Sequence, residues 1–173
     1  MFGLRSPPSH SDPWPLKFKR HNFDAYCYNT LSCSVVYDRF QFSSRVAEPS
    51  GPPPFEDYRS RWSGTNIIGD EFPGPVKIDW VSLDGVEHHA QVDLAEIFAD
   101  RIVRHNVPRQ DVAESWLAAK SVNPVPVDIL MEVNDRTVSI YMKALVFTRE
   151  PQIPGNPRST GRDDLVLSWT NTY

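Results

Sequence analysis

The sequence predicts a mainly β, α+β domain: an antiparallel sheet or β-sandwich of about seven strands, with one or two short helices inserted after the second hairpin. Three observations lead there. Sixteen prolines against eight glycines fall mostly in clusters that strand and helix interiors reject, so they mark connections. The segments between them are rich in Val, Ile, Tyr, Phe and Trp, and several alternate apolar with polar at a period of two. Helical spacing behind a capping residue is clearest in a single stretch, "VDLAEIFADRIVRH".

A chain of 173 residues fits one domain with a real core. The expected division is a Pro-rich N-terminal arm over residues 1–22 and a single β-rich domain over residues 23–173. An apolar content of 40% with 12% aromatics is that of a folded globule. Net charge is -4, and no Lys/Arg-rich stripe is present, which argues against a phosphate-tracking nucleic-acid binder. Apolar runs are too short to span a bilayer. The start, "MFGLRSPPSHSDPWPLKFKR", has no apolar h-region, so either a cytoplasmic protein or one whose export signal was removed is expected.

The first strand pair is expected in "FDAYCYNTLSCSVVYDRFQF", turning around Thr30 and placing Cys27 opposite Cys33. Spacing leaves two readings open, a disulfide closing a very short loop or two reduced, half-buried thiols. In the second pair, "SLDG" suits a type I turn followed by a left-handed glycine at Gly85. That turn sets Ser82 against Val86, Trp80 against His88, Ile78 against Ala90 and Val76 against Val92. Val81 with Glu87, Asp79 with His89 and Lys77 with Gln91 then fill the other face. The alternative two-residue turn mixes apolar with polar and is disfavoured.

Asp93 is a fitting N-cap for the helix that follows, with Glu96 completing a capping-box pattern. Leu94, Ile97, Phe98 and Ile102 would face the sheet, and Arg101, Arg104 and His105 would sit at the helix's carboxyl end. A shorter helix is expected in "RQDVAESWLAAK", with Val112, Trp116 and Ala119 turned inward. In "VDILMEVNDRTVSIYMKALVF", Asn134-Asp135 reads as a two-residue turn pairing Val133 with Arg136 and Met131 with Val138. Residues 144–147, apolar on both faces, read as a covered central strand. The last strand, "DLVLSWTNTY", should alternate Leu165, Leu167 and Trp169 against Val166, Ser168 and Thr170.

Chemistry is sparse. No G-x-S-x-G, H-E-x-x-H, P-loop or G-x-G-x-x-G occurs. Strand neighbours point to opposite faces, so His88 and His89 cannot chelate one ion together. His88 reads as a core histidine against Trp80, and His89 as a surface partner of Asp79. Two cysteines without nearby ligands make a zinc site unlikely, and the chain points away from an enzyme and from any cofactor or metal. The connection over residues 50–75 is longer than a link requires, as functional loops often are. Its Tyr58, Arg59, Arg61 and Trp62 are of the types enriched in interface hot spots and are the candidate partner-binding residues. An alternative stands beside this: Trp62 plugs the end of the sandwich and the arginines are solvated.

The stretches "CYNTLSCSVVY", "PVKIDWVSLDGVEHHAQVDLAEIF" and "MEVNDRTVSIYMKA" resemble small immunity proteins encoded beside type VI secretion lipase effectors, over roughly residues 23–147. The resemblance implies a bacterial periplasmic protein that binds and neutralises a toxin effector, a phospholipase, without activity of its own. It supplies no catalytic or contact residues. The expectation is therefore a non-catalytic protein-binding module, with a structural or adaptor subunit of a secretion or phage-like assembly as the alternative, and a hydrolase third.

Overall fold

Alternating strands build two sheets whose apolar faces meet. The computed structural model describes residues 12–43, 46–119 and 124–173. Its strands are β1 (His21–Tyr28), β2 (Thr30–Tyr37), β3 (Phe40–Gln41), β4 (Asn66–Gly69), β5 (Val76–Ser82), β6 (Glu87–Val92), β7 (Val127–Asn134), β8 (Thr137–Lys143), β9 (Val146–Phe147), β10 (Gly161–Arg162) and β11 (Leu165–Thr172). One sheet runs β11-β8-β7-β1-β4, the other β3-β2-β5-β6, and β9 pairs with β10 alone. Phe23, Ile129, Met131 and Ile140 from the first sheet share a buried core with Val35, Tyr37, Ile78 and Trp80 from the second. Each such side chain contributes about 1.5–3 kcal/mol by leaving water. The mainly β, α+β expectation stands, and no described helix is long and apolar enough to cross a membrane.

The β5–β6 hairpin has the expected register, with Trp80 opposite His88 and Val76 opposite Val92. Gly85 sits at φ 81°, and Ser82 N–H donates to the Val86 carbonyl at 3.1 Å. The first pair corrects the sequence reading, because β1 and β2 are not partners in one sheet. The turn residue is Asn29 (φ 52°), a type that tolerates the left-handed region, and it carries the chain from the first sheet to the second. Cys27 and Cys33 are bonded as a disulfide with Cα atoms 6.5 Å apart, so the bridge joins two sheets rather than two hairpin strands. β1 instead runs parallel to β7, His21 beside Val127 through Tyr28 beside Asn134.

The β7–β8 turn is Asp135-Arg136, with Val133 opposite Val138 and Met131 opposite Ile140. This lies two residues from the expected register, and a shift of two keeps every side chain on its face, so patterning could not separate them. Contacts at the tip decide: the Trp80 indole donates to the Asp135 carbonyl at 2.7 Å, and Leu83 N–H to its carboxylate at 2.9 Å. Residues 144–147 are not a central strand, since Leu145 and Phe147 are exposed. In β11 the ladder slips between Leu167 and Trp169, so Leu167 lies opposite Tyr141 on the outer face and Trp169 opposite Ile140 on the inner.

The helices are single turns, α1 (Leu94–Ile97) and α2 (Glu114–Leu117). Asp93 caps α1 as expected, accepting from Ala95 N–H at 2.9 Å and Glu96 N–H at 3.3 Å. The helix stops early because residues 101–103 pair with the N-terminal stretch: Phe18 N–H donates to the Arg101 carbonyl, and Val103 N–H to that of Leu16. Arg101 (φ 56°) then reaches back, donating to the carbonyls of Lys19 and Asp70 and lying 4.4 Å from the Phe72 ring centroid. Leu117 rather than Trp116 is the buried residue of α2. Within residues 12–22, Leu16 and Phe18 are fully buried and belong to the core. Residues 1–11 lie outside the described residues.

Candidate functional site

β7 is buried on both faces. Its inward residues Ile129, Met131 and Val133 meet the core, while Leu130 and Glu132 point outward and are equally inaccessible. Beside them on the outer face stand Tyr26 next to Glu132 and Tyr141 opposite Leu130. An apolar outer face of this kind needs a cover, and the long connection supplies it. A 3-10 turn over Tyr58–Arg61 packs Tyr58 and Trp62 against Leu130. Trp62 stacks on Tyr26 at 4.5 Å between ring centroids with an interplanar angle of 1°, and meets Tyr141 edge-on at 5.8 Å. Gly64 lets the chain press down, since a Cβ there would come within 2.9 Å of Asn22 Cβ and Asp128 Oδ1.

One carboxylate organises the polar part. Glu132 accepts from the Tyr58 hydroxyl at 2.6 Å and from Arg59 Nη2 at 2.7 Å. The Arg59 guanidinium lies 4.7 Å from the Tyr58 ring centroid, 5.5 Å from Tyr141 and 5.9 Å from Trp62. Lys143 donates to the Trp62 carbonyl at 2.9 Å and pairs with Asp163 at 3.5 Å. Burial pushes the Tyr26 phenol up to about 12. Burial raises Tyr58 as well, and its hydrogen bond to Glu132 adds to the rise. For Arg59 burial pulls the pKa down, but the Glu132 carboxylate outweighs it and the net shift is upward.

The four sequence-predicted residues are therefore brought together but divided by burial. Tyr58 and Trp62 are buried against the outer face of the first sheet. Arg59 keeps 40% of its side chain exposed, and Arg61 lies open with its guanidinium 4.7 Å from the ring centroid of the exposed Phe55. Sequence reasoning missed Glu132, Tyr26 and Tyr141. The available signal was a glutamate inside "VDILMEV", a run apolar on both faces, where a carboxylate needs a partner from another segment.

The two histidines part as strand geometry requires. His88 stacks on Trp80 at 4.8 Å and bonds Ser82 Oγ at 2.9 Å, while His89 meets Asp79 at 2.5 Å on the surface. Among the described residues no group of three or more His, Cys, Asp and Glu side chains is placed to hold a metal ion. Comparison with protein-family models, with curated proteins and with solved structures returned no match.

Proposed function

We propose that this protein is a non-catalytic binding module, an immunity-type protein that binds and inhibits a secreted lipase-type toxin effector. The observation that carries the binding part is the outer rim of the 3-10 turn. Arg59 is held in place by Glu132 and three aromatic rings, and Arg61 lies over Phe55 beside it. Arginine and aromatic side chains fixed before association lose little entropy on binding, which is what an interface anchor needs. The toxin class comes from the resemblance of the three sequence stretches, and the Cys27–Cys33 disulfide suits the oxidising periplasm it implies.

The test is co-purification of the chain with a secreted lipase-type effector, together with the effector's hydrolysis of phospholipid vesicles. The parent chain should bind and suppress hydrolysis, and the Phe55→Ala/Arg61→Ala double variant should bind about tenfold more weakly or worse. An effector that neither binds nor is inhibited sinks the immunity reading. Unchanged affinity in the variant moves the interface elsewhere.

A further inference from the structure

β1 is fully paired on one side only. Toward β7 its ladder is unbroken from His21 to Tyr28, whereas toward β4 it covers His21, Asn22 and Phe23 and then stops. Two hydrogen bonds fix which backbone groups face which edge. Asp135 N–H donates to the Tyr28 carbonyl at 3.1 Å, turning the even-numbered residues of β1 toward β7. The Asn66 side-chain amide donates to the Phe23 carbonyl at 3.4 Å, turning the odd-numbered residues toward β4. Successive residues of a strand send their N–H and C=O to alternate edges, so Ala25 and Cys27 present theirs to the edge that β4 has left. The Ala25 N–H is met by the neighbouring Asp24 carboxylate at 2.9 Å, a side chain standing in for an absent strand. The Ala25 carbonyl and the Cys27 N–H and C=O make no hydrogen bond to any described residue.

The reason for the gap lies in the connection before β4. Thr65 bonds Asp24 Oδ2 at 2.9 Å, and Gly64 N–H is held by Asp128 at 2.9 Å, so the chain climbs onto the outer face instead of continuing along β1. Beside residues 25–28 lies a slot of 230 Å³, lined among others by Tyr26, Tyr28, Phe42, Ser43 and Pro49. At ~30 Å³ per water this is room for on the order of eight waters.

We infer that this gap is a strand-addition site: an extended segment of a protein partner pairs antiparallel with β1, in line with β4. Its carbonyl accepts from Cys27 N–H, and its amides donate to the carbonyls of Ala25 and Cys27. The groups without a bond to any described residue recur at two-residue spacing along one edge, which is the repeat of a strand and not of a helix or a compact ligand. Side chains of the added strand alternate, one toward Phe42 and the next toward Tyr26 and Tyr28, so an apolar residue suits both positions. The inference rests on the protein-binding reading, though not on the partner being a toxin.

Amide exchange of the full, oxidised chain, read by NMR, tests the edge directly, with a display library of short random peptides as the probe. In the free protein the Cys27 amide should exchange at least about tenfold faster than those of Tyr26 and Tyr28. Enriched peptides should slow it and should lose about tenfold or more in affinity against Pro49→Trp, which fills the slot from an exposed rim position. Ala25→Pro, which projects a ring into the same edge, serves as the second variant. A Cys27 amide already as slow as its neighbours overturns the proposal, as does a library that yields no binder or binders indifferent to Pro49→Trp. If the effector still binds the Pro49→Trp chain at full affinity, the edge is excluded while the protein-binding reading survives.

Discussion

Among the described residues, Arg59 and Glu132 form the one ion pair in which the acid is buried, its side chain 4% exposed against 40% for the arginine. Removing only the arginine leaves a carboxylate in the cover of the sheet with the Tyr58 hydroxyl as its remaining donor. Hydrogen bonds to charged groups are worth about 1.5–3 kcal/mol when one partner is lost, and exposure of the guanidinium puts this case near the lower end. Arg59→Ala should therefore lower unfolding free energy by about 2 kcal/mol in urea titration. Arg59→Met combined with Glu132→Gln should lose less than Arg59→Ala alone, because the amide still accepts from Tyr58 and leaves no buried charge. Equal losses would mean that the rings, not the carboxylate, hold the turn. At this scale the sequence was readable where a residue's role is local. Asp93 as a cap and Gly85 in a left-handed turn follow from chemistry within four residues. Glu132 was not, because its partners lie 73 and 74 residues away.

β1 carries the titratable group whose burial sets a pH dependence. His21 is 1% exposed, bonds the Tyr37 hydroxyl through Nε2 at 2.8 Å and packs on Phe72 at 4.8 Å. Burial chiefly lowers its pKa to about 4 from 6.5; a backbone hydrogen bond at Gly69 opposes this, the Arg101 charge adds to the lowering, and Asp38 opposes it least. The folded chain thus resists a proton that the unfolded chain accepts. The contribution of neutral His21 is complete above pH 6.5 and is lost as pH falls from there toward 4, about 3 kcal/mol over the window. His21→Gln, which cannot titrate, should flatten the stability profile between pH 6.5 and 4. Parallel slopes in the two proteins would place the acid sensitivity elsewhere. The elements themselves were legible in proportion to how local their causes are. A turn and one apolar face fixed the β5–β6 register. The same logic left β7–β8 uncertain by two residues, and it made a hairpin of β1 and β2 because alternation says nothing about which sheet a strand joins. For α1 the helical periodicity was real, but pairing of residues 16–18 with 101–103 overrode it after one turn.

At the scale of the molecule, the two sheets are joined by core packing and by one covalent link. The parallel β1–β7 pair brings together residues 106 positions apart, and Trp80 from the second sheet reaches the tip of the first through the Asp135 carbonyl. Such pairings leave no local trace, which is why the topology was hidden while the fold class was not. They also bear on what the disulfide does. Cys27 and Cys33 are separated by 6 positions, so the loop they close is short and its constraint on the unfolded chain is worth about 2 kcal/mol. The sandwich does not depend on the bridge for its topology, because Phe23 of the first sheet packs on Tyr37 of the second at 4.8 Å across the same seam, while the β1–β7 and β2–β5 ladders hold each strand in its own sheet. Cys27→Ser/Cys33→Ser should thus fold, lose about 2 kcal/mol and melt about 4–8 °C lower in one cooperative transition. Loss of cooperativity, or failure to fold, would show that the disulfide is what brings the two sheets together.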